Sequence, residues 1–329
     1  MKYNTDTCTS LFVLTELLRL EEETRDWVQR HRPVNTVKAY NTYQRQFQTF
    51  CAEKMQATRN PPPVMVAAFI KDCVEKRNLS ANTASKVVPA AIADEYKRGG
   101  LPNPLKHPLV KATMQTAARV GKQPVRKAPL LLKHLEEIMT HENKGNEFRL
   151  VRNQFLIMVM MGGMLRESEA VALTSDDVWV DEVTVESKSK KVLFIFIEKS
   201  KTDQERRGHT VVLGENEKNP ILCPVTWFEK YVAVRNRKKK FFFHAHGTGD
   251  ALAKTTPHHI LKAMLEQMGV DAKKYGSHSC RRGGCTAAAA KHIQERLLMR
   301  HGNWKSSAVH DYIMEPMEDL LSVSLAIFT

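Results

Sequence analysis

Arg300-His-Gly-Asn-Trp304-Lys-Ser-Ser-Ala-Val-His-Asp-Tyr312 is the stretch from which the chain is read. Trp304 and Tyr312 are eight residues apart, a little over two helical turns, and the tyrosine is expected near a helix end. Read alone, Trp304 is a core residue and Tyr312 a helix–helix contact. The meaning changes with what stands before them.

Upstream lies Ser277-His278-Ser-Cys-Arg281-Arg282-Gly-Gly-Cys-Thr286. The spacing puts His278 and Arg281 one helical turn apart, so both can address one phosphate. Arg282 faces elsewhere, as a DNA-backbone contact or a solvated charge. Further upstream, Glu198-Lys-Ser-Lys201-Thr-Asp-Gln ends a β-rich run before a charged turn. A lysine at a hairpin tip can reach a cleft, and Lys199 competes with Lys201 for that role. Earlier again, Gly163-Met-Leu-Arg166-Glu-Ser-Glu169 closes an apolar helix and delivers an arginine. Glu169, three positions on, can hold its guanidinium in one orientation. Each fragment alone is an ordinary ion pair, turn or helix face.

Composition bounds the rest. The chain has 329 residues and a formal net charge of +14, which favours an anionic partner. Residues 1–120 carry 18 Lys/Arg against 11 Asp/Glu, and the remainder 32 against 25, so the surplus of seven is shared equally. If the partner is DNA, both parts are expected to touch it. The six cysteines form no CxxC pair and predict neither a zinc site nor a disulfide framework. His244-x-His246 and His258-His259 are the only tempting ligand pairs, and without Cys or acidic neighbours in sequence they read as loop and helix-surface histidines. Leu11–Leu20 runs at once into Glu21-Glu22-Glu23, unlike a secretory signal. No apolar run approaches the roughly 20 residues that span a bilayer. A soluble intracellular protein is expected. Arg235-Asn-Arg-Lys-Lys-Lys240 reads as a nuclear signal if the host is eukaryotic, or as a basic helix end near DNA.

Residues 1–119 read as helical. The expected helices run from Asn35-Thr36 to about Lys54, from Val64 to about Glu75, from a Ser80 or Asn82 cap to Gly99-Gly100 with a kink at Pro89, and from Pro108 to Arg119. Residues 120–129, basic with Gly and two prolines, read as a linker. Residues 130–329 mix helices at 131–141, 148–163 and 221–236 with short β-rich runs at Val183–Glu186, Val192–Glu198 and His209–Val212. Phe241-Phe242-Phe243 is a candidate buried strand. Helices are expected from about Pro257 to the end. The fold class is therefore mainly α with a small antiparallel sheet, in two domains.

Arg166, Lys201, His278-x-x-Arg281, Trp304 and Tyr312, in that order, resemble the signature of tyrosine site-specific recombinases, the phage-integrase family. The resemblance covers nearly the whole chain. Residues 34–119 resemble the helical core-binding domain and 127–317 the catalytic domain. Gly302-x-Trp304-Lys-Ser with Tyr312 close behind is similar to recombinases of eukaryotic mobile elements such as cryptons. The position of Trp304 is more often histidine across the family, and an indole offers one donor and no base.

The resemblance implies a clamp around double-stranded DNA, strand cleavage through a 3′-phosphotyrosine bond, integration of a mobile element and a homotetramer on DNA. Tyr312 is then the nucleophile. Arg166, Arg281, His278 and Trp304 stabilise the phosphate, Lys201 is the general acid, and Glu169 orients the catalytic groups. No metal, nucleotide or other cofactor is implied. Lys38, Arg45, Lys86 and Arg282 are candidate DNA contacts. The apolar tail Met314–Thr329 either docks on a neighbouring subunit, as the family's C-terminal helix does, or packs on its own domain. A type IB topoisomerase-like enzyme and a domesticated, non-catalytic DNA-binding protein are the other readings.

Overall fold

The computed structural model describes residues 13, 15–20, 22–24, 27, 32–55, 60–142, 145–200, 207–315, 321–322 and 325–326. The chain divides into two compact units, Met1–Val125 and Arg126–Thr329, and the division falls inside the stretch read as a linker.

The first unit is helical. α1 (Val34–Lys54) buries Gln44, Phe47, Phe50 and Cys51 on one face, and α2 (Pro63–Glu75) buries Val66, Phe69, Ile70 and Cys73. Phe69 packs between Phe47 and Phe50, with ring centroids 5.4 and 5.3 Å away. A π-helical turn, Thr83–Val87, leads into α3 (Val88–Arg98). Pro89, where a kink was expected, follows directly on this turn. Pro89 has no N–H for the Ser85 carbonyl, and the Val88 N–H reaches back to Thr83 instead. The Ser80 hydroxyl accepts the Thr83 N–H at 3.2 Å, which selects Ser80 over Asn82 as the cap. Gly100 ends the run at φ +69°. α4 (Pro108–Val120) completes the unit.

In the second unit, α5 (Leu132–Thr140) precedes α6 (Glu147–Gly162), whose residues Gln154–Met161 are all buried. A short α7 (Glu167–Ala170) leads to a three-stranded antiparallel sheet in the order β1-β2-β3. Its strands are β1 (Val178–Val185), β2 (Lys188–Ile197) and β3 (His209–Gly214). β1 starts earlier than its sequence suggested, because charged Asp181 and Glu182 lie on exposed edge positions and hide the alternation. Leu193, Ile195 and Ile197 face the core. α8 (Pro224–Val234) is shorter than the expected 221–236, since Pro224 separates it from a 3-10 turn at Pro220–Leu222. α9 (Thr256–Gln267), α10 (Ser279–Ala289) and α11 (Glu295–His301) follow.

Phe241-Phe242-Phe243 does not form a strand of the sheet. Only a single bridge joins Phe241 to Thr174. Phe242 and Phe243 are buried in a cluster with Phe155, Phe228 and Tyr231, so aromatic packing, not a ladder, explains the run. Among the described residues no helix is long and apolar enough to cross a membrane, and no group of three or more His, Cys, Asp or Glu is placed to hold a metal.

Candidate active site

α6 ends at Gly162, and Met164 takes a left-handed turn at φ +49° that redirects the chain to Arg166. Arg166 is not inside a helix, as the i,i+3 spacing suggested, but caps α7. The Glu169 carboxylate accepts the Arg166 backbone N–H at 2.8 Å and its guanidinium Nη1 at 2.6 Å. One buried carboxylate therefore fixes both the main chain and the fork of the arginine.

His278 is the N-cap residue of α10, and Arg281 lies in its first turn. Arg281 is only 2% exposed. Its guanidinium donates to the Met164 carbonyl and, at 2.5 Å, to the Gly302 carbonyl, while its buried Nε meets no partner among the described residues. The Trp304 indole lies 3.9 Å over the guanidinium carbon, and the Tyr312 ring centroid lies 5.4 Å from it. Burial, then the charge of Arg166, lowers the Arg281 pKa to about 10, so it stays cationic at neutral pH.

Tyr312 closes a 3-10 turn, Ser307–Tyr312, rather than an α-helix. Its hydroxyl is 3.4 Å from His278 Nδ1, and its ring stands edge-on to both His278 and Trp304. Trp304 packs with Met164, Cys285, Leu298 and Val309 in a small cluster behind the site. Arg166, His278, Arg281, Trp304 and Tyr312 thus converge from three separate chain segments.

Lys201 lies outside the described residues. Its neighbour Ser200, three residues beyond the end of β2, is buried, and Lys199 is exposed. Asn303 ties that place to the site, because its amide nitrogen lies 3.4 Å from Ser200 Oγ and 3.1 Å from His209 Nδ1, across the base of the β2–β3 hairpin.

Arg282 does not stand free. Its Nη1 donates to the Asp311 carbonyl at 3.1 Å, beside Tyr312, and its Nε is buried. Lys38, Arg45 and Lys86 are exposed on the first unit. His258 is corrected as well, since Glu167, 91 residues away in sequence, meets its Nδ1 at 3.1 Å. Sequence reading missed Asn303, Thr286 and the glycine pair after Arg282. Gly284 is legible in retrospect: a Cβ there would stand 2.1 Å from the Met161 carbonyl oxygen, so α10 crosses α6 only because the residue is glycine. Thr286 carried no signal.

A buried and a partly buried arginine beside a phenol and an imidazole could bind an oxyanion next to a nucleophile. The chain is 25% identical over 309 residues to an integrase/recombinase xerD homolog of Selenomonas ruminantium, spanning 90% of this chain and 86% of that one. It superposes on the XerH site-specific recombinase bound to palindromic difH substrate in a post-cleavage complex with a TM-score of 0.61, at 16% identity, covering 86% of this chain and 76% of that one. For the Tn1549 transposon integrase in complex with circular intermediate DNA the TM-score is 0.56 at 14% identity, covering 90% and 95%. These structures share the fold. Residues 130–314, more than half of the sequence and the whole of the constellation above, match the profile of the phage integrase family, and the chain belongs to that family.

Proposed function

We propose that this protein cleaves and rejoins DNA strands with Tyr312 as nucleophile and integrates or excises a mobile element. The observation that carries the reading is the Tyr312 hydroxyl, 3.4 Å from His278 Nδ1 and beside the buried, cationic Arg281.

The phenol oxygen attacks phosphorus and its proton passes to His278, whose Nδ1 accepts when the ring proton is on Nε2. The P–O bond to the 5′-oxygen breaks and a 3′-phosphotyrosine forms. Charge gathers on the non-bridging oxygens, where Arg166 and Arg281 supply fixed cationic forks. The Arg281 Nε, which has no partner among the described residues, is the kind of donor that an anionic oxygen satisfies. A 5′-hydroxyl is a poor leaving group, and Lys201 is assigned as the acid that protonates it. Rejoining reverses the steps with a different 5′-hydroxyl. The phosphotyrosine conserves the energy of the broken bond, so no ATP is consumed.

Both units bind DNA in this reading, as a clamp, with Lys38, Arg45 and Lys86 as phosphate contacts on the first. Exchange between two duplexes needs four active sites, hence a tetramer. An apolar groove of about 840 Å³ in the second unit, lined by Met161, Leu213, Leu297 and Leu298 among others, suits the apolar tail of a neighbouring subunit. That tail carries Met317, Leu320, Leu321, Val323, Leu325 and Ile327, and most of it lies outside the described residues. The Gly302-x-Trp304-Lys-Ser motif favours an element of the crypton type, and with it a nuclear site of action.

The test uses a target duplex selected by the protein from a random-sequence pool, then nicked near the cleavage site so that the released strand diffuses away. A covalent protein–DNA adduct is expected, and Tyr312→Phe should abolish it. An adduct formed equally by Tyr312→Phe would remove Tyr312 as nucleophile. Specific binding without any adduct would favour a binding-only protein.

A further inference from the structure

Tyr312 ends a six-residue 3-10 turn, and Ile313 after it is extended. Such a turn is too short and too weakly bonded to hold a reactive side chain by itself. Val309 is buried beneath the turn, Asp311 pairs with Arg126, and α10 holds the main chain around the tyrosine. Arg282 donates to the Asp311 carbonyl at 3.1 Å. One turn further along, the Thr286 hydroxyl donates to the Tyr312 carbonyl at 3.3 Å and accepts the Met314 N–H at 3.1 Å.

This arrangement is unusual for a threonine inside a helix, where the hydroxyl commonly bonds back to the carbonyl four residues earlier. Here one hydroxyl satisfies a carbonyl and an amide on either side of Ile313, one of them belonging to Tyr312. Thr286 is 9% exposed, so water is poorly placed to substitute. Its β-branch leaves few rotamers, which makes it a stiff arm. α10 also carries Arg281 and is seated against the Leu130 and Met161 carbonyls through Gly283 and Gly284. The same rigid helix therefore fixes a phosphate-binding arginine and the backbone of the tyrosine.

We propose that Thr286 is a positioning residue for strand cleavage: its hydroxyl sets how far the Tyr312 phenol reaches toward the phosphate held by Arg281. The proposal rests on Tyr312 being the nucleophile. Thr286 touches no substrate and acts through the main chain at 312–314.

The experiment measures single-turnover adduct formation by the full-length protein on the nicked target duplex, with DNA affinity and melting temperature measured in parallel. Thr286→Val keeps the shape and removes the hydroxyl. A displacement near 1 Å lowers a rate on the order of 100-fold, so a loss of roughly 10- to 100-fold is expected at unchanged DNA affinity. Thr286→Ser keeps the hydroxyl and should recover most of the rate. If Thr286→Val forms adduct at the wild-type rate, or if Ser and Val are equally slow, the hydroxyl has no positioning role. Should Thr286→Val fail to fold, Thr286→Ala takes its place: a rate equal to that of Thr286→Ser overturns the proposal, and a much slower one supports it. Tyr312→Phe runs alongside. An adduct from that variant overturns the nucleophile assignment whatever Thr286 does, so the two failures are distinct.

Discussion

Replacing Glu169 by glutamine removes one charge and one acceptor while keeping the shape of the side chain. The carboxylate takes two donors from one residue, the Arg166 N–H at 2.8 Å and the Arg166 Nη1 at 2.6 Å. An amide has only one oxygen, so in either orientation its NH2 faces one of those donors. The two side chains are 14% and 3% exposed, which leaves little room for water to intervene. Losing a hydrogen bond to a charged group costs about 1.5–3 kcal/mol. For a domain of this size each kcal/mol moves the melting point by roughly 2–4 °C, so a drop on the order of 3–12 °C is expected. The freed guanidinium no longer has a fixed aim, and adduct formation should fall roughly 10- to 100-fold while binding of the intact target duplex changes little. Calorimetry and single-turnover cleavage on one preparation give both numbers. If Glu169→Gln melts within about a degree of wild type and cleaves at full rate, the carboxylate neither supports the fold nor orients Arg166.

Gly284→Ala puts a Cβ 2.1 Å from the Met161 carbonyl oxygen and 3.2 Å from Met164 Cγ. α10 must shift, with a loss of about 1–3 kcal/mol in a thermal or denaturant melt and slower cleavage, and an unchanged melt would show that the crossing has slack. Asn303→Ala frees the hairpin base from the Trp304 loop. Cleavage should slow by about 10-fold or more, with recovery on a substrate whose 5′-bridging oxygen is replaced by sulfur, since a thiolate leaves without an acid; no recovery would sever Asn303 from the acid step. Truncation after Glu315 should spare single-site adduct formation but abolish assembly of two target duplexes in a native gel. Normal assembly would argue against tail docking.

The order of the chemistry-bearing residues was legible in the sequence because each has a distinct chemical identity and a fixed place along the chain. Helices α1, α2 and α4 were legible from apolar spacing and from their proline starts. What escaped depends on contacts between distant segments. The three phenylalanines at 241–243 look like a strand by hydrophobicity, yet their packing partners Phe155 and Tyr231 lie elsewhere in sequence. The hydrogen bond of Arg282, read as a DNA contact or a solvated charge, was hidden because its acceptor, a backbone carbonyl at position 311, has no side-chain signature. His258 lacked an acidic neighbour in sequence and has one in space. Thr286 is the extreme case, a small polar residue whose two partners are main-chain atoms.

The departure at Trp304 follows from the same packing. A histidine at this place would offer a second imidazole, but His278 already meets the phenol. The indole instead covers the Arg281 guanidinium at 3.9 Å and fills the cluster with Val309 and Leu298. A cation under an aromatic face is attracted to its π-electrons and screened from water, which strengthens its field at a nearby phosphate. Gly302 makes that seat possible, since a Cβ there would lie 1.8 Å from the indole ring. The Gly302 carbonyl in turn takes one guanidinium N–H. Gly302, Trp304 and Arg281 therefore pack as one unit, with the indole covering the guanidinium. In the proposed mechanism, proton transfer is left to His278 and to the lysine of the hairpin.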